Sequence, residues 1–529
     1  MAIDHWRPNV ELSKKEEGVV RHLKRVRTLL VFLRKHRHEI LEGAFQDELG
    51  AMYRDTGAGK EPVPPALMAM ATLVQGYLNV SDAEMVRLTA LDLSVQMVLG
   101  CLGSTEPAFS QGAFADFRAR FVRTDMDRRL LERTIEIAKN TKEFDWKKLP
   151  KDLRVAMDST PLEGASRVED TFNLLAHAAR KVVACSAALL GWKAERVCAE
   201  AGSALLTESS IKKALDIDWT DPDAKSEALN RLLVELDHLH SFLQVKLPEA
   251  LKNPPLKTHV ATLEKIRAQN LEPDPGGGGG QRIKDEVARD RRVSVEDAEM
   301  RHGRKNKNKL FNGFKQHISA HLDTDLILSC ALLPANKPEA DAAGPLKRDI
   351  ERQGLIVGEL YIDRGYIGSQ AVAEILAARG AVYCKPRNAK NGAFFAKSDF
   401  DLNMRDKTIS CPGGQTRNFE LGGTVFFDAD ACDACPLRSM CTGGAQGRGR
   451  TVQIAADERL QQQLRKQLAT KVGRERLRAR TTIEHRLAHV VRRAGRRARY
   501  KGTRKNLFAL RRASTVQNLE TIQRRLLAA

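Results

Sequence analysis

The sequence predicts an α/β fold in which a core of alternating strands and helices follows an all-helical N-terminal region. Apolar residues recur at helical intervals over roughly the first 140 residues, and short apolar runs alternate with helical stretches after that. Helical periodicity also fills 168–290, between the first and second predicted strands. The core is therefore expected to carry a large helical insertion.

The N-terminal region, 1–145, is predicted to be a helical domain. Pro64-Pro65 opens one of its helices, Ser81 has capping-box spacing to a glutamate three residues on, and Ser110 is placed to cap another. Such a domain suits DNA binding through a helix-turn-helix. No signature distinguishes that arrangement from a bundle that only packs.

The core, 150–400, is predicted from strand and helix signals. A first strand, 153–158, ends in Asp158, and a hairpin turns at Asp323-Thr-Asp325, where aspartate bonds its own backbone. The later elements are a helix, a strand, a helix and a strand at 338–353, 359–363, 369–379 and 381–385. The glycine run 276–280 is predicted to be a surface loop.

The charge balance points to a polyanionic partner. The 529 residues carry a formal net charge of +20, and phosphates neutralised by lysine or arginine release condensed counterions. An anionic membrane surface is the competing interpretation, but no strongly amphipathic, aromatic-rich helix supports it. The sequence shows no signal peptide and no apolar stretch of about 20 residues. A cytoplasmic nucleic-acid-binding protein is expected.

Two aspartates are placed alike along the core. Asp158 and Asp363 each follow an apolar strand and precede a turn-prone segment. On neighbouring strands their carboxylates would lie a few ångströms apart, and a bridging Mg²⁺ or Mn²⁺ would relieve their repulsion. Either aspartate alone is more often a turn former or a helix cap. Together with Glu484, one of only two acids among sixteen basic residues in 471–512, they favour a metal-binding carboxylate site.

Several segments resemble the signature segments of DDE transposases of bacterial insertion sequences. Three carry the carboxylates: Ala156-Met-Asp158-Ser-Thr, Tyr361-Ile-Asp363-Arg-Gly-Tyr366 and Arg480-Thr-Thr-Ile-Glu484. Further matches are Phe311 to His317, Pro334-Ala-Asn336, Tyr500-Lys-Gly502 and Val516 to Leu519. The resemblance covers most of the chain and is closest to insertion-sequence group eleven-eighty-two.

The resemblance implies an RNase H-like catalytic core with two Mg²⁺ or Mn²⁺ ions held by Asp158, Asp363 and Glu484. It also implies cleavage at the terminal inverted repeats of a transposon and joining of the freed 3′-hydroxyl to target DNA. A homodimeric synaptic complex at the bacterial nucleoid would be expected. Arg480 matches the arginine of the Tyr-Arg-Glu-Lys signature, whereas Leu477 and Val491 depart from its tyrosine and lysine.

The C-terminal segment, 451–529, is predicted to be basic helices that complete the catalytic core and bind the phosphate backbone. A merely solvated basic face is the alternative. The candidate DNA contacts are Arg480, Arg492, Arg493, Arg496, Arg497 and Lys501.

A cysteine-rich insert is predicted at 401–450. Four of the nine cysteines cluster there, at Cys411, Cys432, Cys435 and Cys441, two of them spaced as Cys-x-x-Cys. Four thiolates suit a structural zinc ion or an iron–sulfur cluster, and free thiols in a turn-rich insert are the alternative. The other five cysteines are scattered singly and are interpreted as core residues.

Two further functions stay open from the sequence. The chain could be a DNA-binding protein whose catalysis is lost, or an RNase H-like nuclease that cuts without joining. The sequence has no serine–histidine–aspartate order that would indicate another chemistry. The glycine run is not a phosphate-binding loop either, because no Lys-Ser/Thr follows it.

Overall fold

The fold was analysed in a computed structural model that describes residues 4–23, 25–53, 61–140, 152–275, 280–306, 308–387 and 391–528. The glycine run predicted to be a surface loop lies outside these residues except for Gly280.

Helices make up the described N-terminal region, as the sequence predicts. They are α1 (Lys14–His22), α2 (Thr28–Ile40), α3 (Gly43–Gly50), α4 (Pro65–Leu78), α5 (Asp82–Leu91), α6 (Leu93–Leu99), α7 (Gln111–Arg123) and α8 (Met126–Asn140). The side chains of Ser81 and Ser110 accept hydrogen bonds from backbone N–H groups at the starts of α5 and α7. Both predicted caps are therefore confirmed, and Pro65 opens α4 because its missing N–H would be unpaired there in any case.

The first core strand is followed by the helical insertion. These elements are β1 (Asp152–Glu163), α9 (Thr171–Leu190), α10 (Ala194–Ala201), α11 (Ile211–Leu215), α12 (Pro222–Lys246), α13 (Leu256–Asn270), β2 (Leu271–Pro273) and β3 (Gln281–Ile283). The insertion has its own hydrophobic core, built from leucines and alanines of α9, α10 and α12.

The rest of the α/β core follows in the predicted order. Its elements are β4 (Arg301–Asn306), β5 (Lys309–His321), β6 (Ile327–Pro334), α14 (Ala340–Glu351), β7 (Ile356–Tyr361), α15 (Gln370–Ala377) and β8 (Ala381–Tyr383). The predicted hairpin is confirmed, because β5 and β6 pair antiparallel on either side of Asp323-Thr-Asp325.

The C-terminal part begins with short strands and ends in helices. Its elements are β9 (Asp401–Asn403), β10 (Thr408–Ser410), β11 (Thr416–Asn418), β12 (Thr424–Phe426), α16 (Ala429–Asp433), α17 (Arg438–Cys441), β13 (Thr451–Gln453), α18 (Glu458–Ala469), α19 (Lys471–Arg478), α20 (Thr481–Ala494) and α21 (Thr503–Ala528).

One six-stranded sheet organises the core. Across it the strands run β6, β5, β1, β7, β8, and β4 pairs with the start of β5 on the same side as β6. β5 is antiparallel to both β1 and β6, whereas β1, β7 and β8 are mutually parallel neighbours. The parallel strands β7 and β8 require a crossover connection, which α15 supplies.

The predicted end of the first strand is wrong. β1 does not stop at Asp158 but continues to Glu163, so Asp158 lies inside the strand. The reason is its antiparallel neighbour, because β5 pairs with β1 from Val155 through Glu163. On the other side, pairing with β7 ends at Ala156, so Asp158 is beyond the strand end only along that edge.

The N-terminal helices, the sheet and α21 share one hydrophobic core. α21 holds them together with polar contacts as well as apolar ones. The buried Asn518 side chain accepts from the Ile327 N–H, donates to the Ile327 carbonyl and donates to the Thr134 hydroxyl. These bonds tie α21 to β6 and α8.

In the part of the chain that the structure describes, no single helix is long and apolar enough to cross a membrane. α9 and α10 pass that test only together, as a pair bent by 106°.

Candidate active site

Asp158 and Asp363 lie at the same level of two adjacent parallel strands. Ala156 of β1 pairs with Tyr361 of β7, and each aspartate is two residues further along its chain. Adjacent strands are about 4.8 Å apart, so the register alone places the two aspartates side by side. The sequence-based expectation of neighbouring strands is confirmed for this pair.

Asp158 is the more enclosed of the two. Its side chain is 16% exposed, and Oδ1 accepts a hydrogen bond of 2.8 Å from the Ser159 N–H. Burial raises the pKa of Asp158 to about 6, with the charges of Glu484 and Asp363 adding to the rise and Arg480 opposing it. The carboxylates are therefore close enough to repel one another.

Asp363 is exposed and also caps a helical turn. Its Oδ1 accepts a hydrogen bond of 2.7 Å from the N–H of Arg364, the first residue of a short 3₁₀ turn that ends at Tyr366. The capping role considered for such an aspartate is thus present. The second carboxylate oxygen has no hydrogen bond to a described residue, which leaves it open toward the cleft.

Glu484 faces the aspartates from α20, and Arg480 lies between them. Arg480 directly precedes α20 and donates to Glu484 Oε1 at 2.6 Å across one helical turn. Its other terminal nitrogen is 3.4 Å from Asp158 Oδ2. One guanidinium thus joins the helix carboxylate, whose side chain is 51% exposed, to the strand carboxylate.

Beside these groups lies an open cleft of about 400 Å³, which Asp158 adjoins through its ion pair with Arg480. Asp363, Glu484 and Arg480 line it together with three cations that sequence reasoning missed, namely Lys385, Arg474 and Arg478. Lys385 follows β8, the third parallel strand, so the rule that located Asp363 would also have located Lys385. Arg474 and Arg478 are one helical turn apart on α19, which is the spacing of a shared face.

A fourth carboxylate, that of Glu339, contacts the segments that carry the two aspartates, and no sequence pattern indicated it. Glu339 Oε1 accepts a hydrogen bond of 2.5 Å from the hydroxyl of Ser159, the residue after Asp158. Glu339 also packs on Gly365, two residues after Asp363, where any Cβ would overlap its carboxylate. Glu339 therefore joins the two segments that carry the aspartates, and position 365 has no room for a side chain.

A buried histidine–tyrosine pair lies beneath the same segments. Tyr366 and His317 Nδ1 are hydrogen-bonded at 2.6 Å, and both side chains are fully buried. Burial, with the charges of Glu339, Asp158 and Asp363 adding to it, raises the pKa of Tyr366 well above its ordinary value. Burial lowers the pKa of His317 to about 3, so the pair is neutral.

The predicted DNA contacts fall into two groups. Arg493 and Lys501 are engaged by acids at 2.5 Å, Arg493 by Glu520 and Lys501 by Glu296. Arg497 is exposed and donates to a backbone carbonyl at 3.4 Å, while Arg492 and Arg496 are exposed and have no ion pair with a described residue. Arg492, Arg496 and Arg497 thus have no acidic partner among the described residues, whereas Arg480 in the cleft is paired with Glu484 and Asp158.

Within the described ranges, no three or more His, Cys, Asp or Glu side chains lie close enough together to hold a metal ion. At the cleft the reason is visible, since Arg480 occupies the space between Asp158 and Glu484. The donor set nevertheless suits Mg²⁺ or Mn²⁺, which prefer carboxylate oxygen. Burial, with the charges of Glu484 and Asp363 adding to it, raises the pKa of Asp158, and a nearby cation would favour its charged form.

All four clustered cysteines line one small cavity, separate from the cleft. The structure thus brings Cys411, which precedes the others by more than twenty residues, together with Cys432, Cys435 and Cys441. All four are free thiols.

Two family models match the chain. Residues 410–523 match a family described as a transposase DDE domain, and residues 22–120 match one described as a transposase domain (DUF772). The first segment includes Glu484 and the four clustered cysteines, but neither aspartate. No curated protein and no solved structure matches. Both matched families are transposase families, one near each end of the chain, and together they support a DDE-type transposase of bacterial insertion sequences.

Proposed function

We propose that this transposase cleaves the ends of its transposon and joins the freed 3′-hydroxyl to target DNA, with Asp158, Asp363 and Glu484 as its catalytic carboxylates. The observation that carries the proposal is that Asp363 and Glu484 line one basic cleft and that Arg480, which also lines it, pairs with both Glu484 and Asp158. The three carboxylates come from β1, from the segment just after β7 and from α20, separated by more than 300 residues of chain.

The strand order supports an RNase H-like core. Three antiparallel strands, β6, β5 and β1, are followed across the sheet by two strands parallel to β1, with Asp158 on the central strand and Asp363 beside it. A helix with the third carboxylate packs on the same sheet, since α20 contacts β1 and β5. The helical insertion and the cysteine-rich insert leave this order unchanged.

Two divalent cations are the expected cofactors, and Asp158, Asp363 and Glu484 would hold them. When bound, such ions stabilise the attacking and leaving oxygens of an in-line phosphoryl displacement. The chain's own residues orient the reactants. Lys385, Arg474, Arg478 and Arg480 line the cleft and attract the phosphate backbone, and no protein nucleophile is required.

The ion pairs of Arg480 with Asp158 and Glu484 suggest that this side chain also contacts DNA. While it pairs with Asp158 and Glu484, its guanidinium compensates their charge. A cation bound by the carboxylates would release Arg480, which could then donate two hydrogen bonds to a DNA phosphate. Arg480 is thus proposed to exchange a carboxylate partner for a phosphate partner.

The partners proposed are double-stranded terminal inverted repeats, target DNA and a second copy of the chain in a synaptic complex, acting at the nucleoid in the bacterial cytoplasm. The helical N-terminal domain, 1–145, is proposed to recognise the ends. Membership of group eleven-eighty-two is likewise a proposal from the sequence motifs.

The test is a strand-transfer assay on labelled duplexes that carry the inverted repeats flanking the gene, with Mg²⁺ or Mn²⁺ and a target plasmid. Nicked ends with free 3′-hydroxyls and joined products are expected. Cleavage without joining would favour an RNase H-like nuclease. Binding without cleavage, at either metal, would favour a DNA-binding protein that has lost catalysis.

A further inference from the structure

The four clustered cysteines lie in a module with very little apolar core. Between 391 and 455 the strands are three residues long, and the module's own cluster has eight buried side chains in the described residues. Modules of this size commonly depend on disulfides or a structural metal for stability. All four cysteines are free thiols, so a disulfide does not supply that stability here.

The thiols surround a space of atomic size. The cavity that they line holds about 20 Å³, which is room for about one water-sized sphere. Its other walls include Phe395, Phe427 and Leu437. A water molecule needs two to four polar partners, which thiols and apolar side chains supply poorly. A single thiophilic ion fits the space and the donors.

The backbone around Cys411 is shaped for such an ion. The turn Pro412-Gly413-Gly414 brings Cys411 up to the other thiols, and a Cβ at Gly413 would lie only 2.8 Å from Cys435 Sγ. Gln415 then aims two donors at sulfur. Its N–H points to Cys411 Sγ at 3.3 Å, and its side-chain amide points to Cys432 Sγ at 3.6 Å. Donors of this kind stabilise metal-bound thiolates.

We propose that Cys411, Cys432, Cys435 and Cys441 form a four-thiolate site for one structural zinc ion, which holds the cysteine-rich module together. As placed, the thiols surround the cavity without meeting at ligand distance, so the ion draws them inward. Tetrahedral coordination by four thiolates is a common form of structural zinc site. The site is independent of the carboxylate cleft, and its test does not rely on catalysis.

The experiment is elemental analysis of the full-length protein, purified without chelators or a metal-binding tag. About one zinc per chain is expected for the wild type. Cys432→Ser and Cys435→Ser are expected to lose it, and Cys185→Ser, a partly buried cysteine of the insertion, is expected to keep it. Circular dichroism checks that each variant is folded.

Should the cysteine variants fail to fold, cobalt exchange into the wild type decides the matter. Visible absorption bands of tetrahedral thiolate-bound cobalt, together with release of zinc when four thiols are titrated with a mercurial, would support the site. A folded wild type with neither zinc nor cobalt uptake would overturn the proposal. So would zinc retained in Cys435→Ser, and iron in place of zinc would overturn the assignment of the metal.

Discussion

The strand carboxylate Asp158 and the helix carboxylate Glu484 belong to one site but are held in opposite ways. Asp158 lies in a strand paired on both sides up to Ala156 and on one side beyond it, and its side chain is 16% exposed. Glu484 lies in the first turn of a helix, is 51% exposed, and its side chain pairs with Arg480. The Asp158 side chain, in the sheet half of the site, is enclosed by the sheet, whereas the Glu484 side chain, in the helix half, is held at the surface by an ion pair on a helix that itself packs against the sheet.

This difference indicates how the site can close. The two aspartates are fixed relative to each other by strand register, by Glu339 and by the buried Tyr366 beneath them. The position of Glu484 depends on Arg480, and an ion pair with an exposed partner contributes little stability. Metal and DNA binding are therefore expected to adjust the side chains of Glu484 and Arg480 rather than the strands.

The largest expected effect tests whether the two halves act as one catalytic unit. Asp158→Asn, Asp363→Asn and Glu484→Gln should each lower end cleavage on the order of 10³-fold or more, because each removes a charged ligand of the cations that stabilise the transition state. Single-turnover cleavage of a labelled end measures the effect.

Matched controls make the same change of charge on the same strand or in the same basic segment, but away from the site. Asp152→Asn lies at the other end of β1, and Glu475→Gln is the second acid of the basic C-terminal segment. Both should cleave at the wild-type rate. Wild-type cleavage by Glu484→Gln would show that the helix half is not part of the site.

The second prediction compares how Asp158 and Glu484 each affect the free energy of unfolding. The pKa of Asp158 is about 6 in the fold against an ordinary 3.8, so the native state binds the proton more tightly than the unfolded chain. The free energy of unfolding should therefore fall as pH rises from 3.8 through 6 and stay lower above it. Asp158→Asn should stabilise the metal-free protein at pH 7.5 by about 3 kcal/mol and change little at pH 4.

Chemical denaturation in chelator measures this difference. Glu484→Gln is the comparison, and it should shift the unfolding midpoint much less because its side chain is half-exposed. An equal gain from both variants at pH 7.5 would contradict the distinction between an enclosed and an open carboxylate.

Strand-scale features of this site were predictable from the sequence. Asp158 and Asp363 follow apolar runs, and the order of strands and helices between them predicts that the runs pair. The hairpin at Asp323-Thr-Asp325 and the caps at Ser81 and Ser110 follow from turn and capping chemistry. These features depend on a few neighbouring residues, so local sequence specifies them.

Features that depend on distant chain segments were not predictable. Nothing around Glu339 shows that it meets Ser159, 180 residues earlier. The same holds for Arg493 and Lys501, which look like free cations in the sequence but meet Glu520 and Glu296. The end of β1 was misplaced because its antiparallel partner, and not its own composition, determines how far it runs.

A third prediction asks whether the sheet half owes its rigidity to Glu339. Glu339→Ala should lower cleavage about 10-fold, since misplacing catalytic groups slightly is costly. Glu339→Gln should restore most of the rate, because its amide oxygen can still accept from Ser159. Rescue by glutamine distinguishes positioning from charge, and Glu351→Ala at the far end of α14 is the control. Equal losses in Ala and Gln variants would contradict the positioning role.

The smallest expected effects concern the affinity of the cleft for DNA. Lys385 and Arg478 line the cleft and have no carboxylate partner among the described residues, so each should contact a phosphate. Lys385→Ala and Arg478→Ala should each weaken binding of a duplex end a few-fold and reduce the slope of log affinity against log salt by about 1. Fluorescence anisotropy across a salt series measures both quantities.

Lys501→Ala is the matched control, since Glu296 already compensates the charge of Lys501 at 2.5 Å. It should leave the salt slope unchanged. A loss for Lys501→Ala as large as that for Arg478→Ala would place the phosphate backbone on the face near the helical insertion. In that case DNA would reach the carboxylates from the sheet half, and Glu484 would have to close over it from the opposite side.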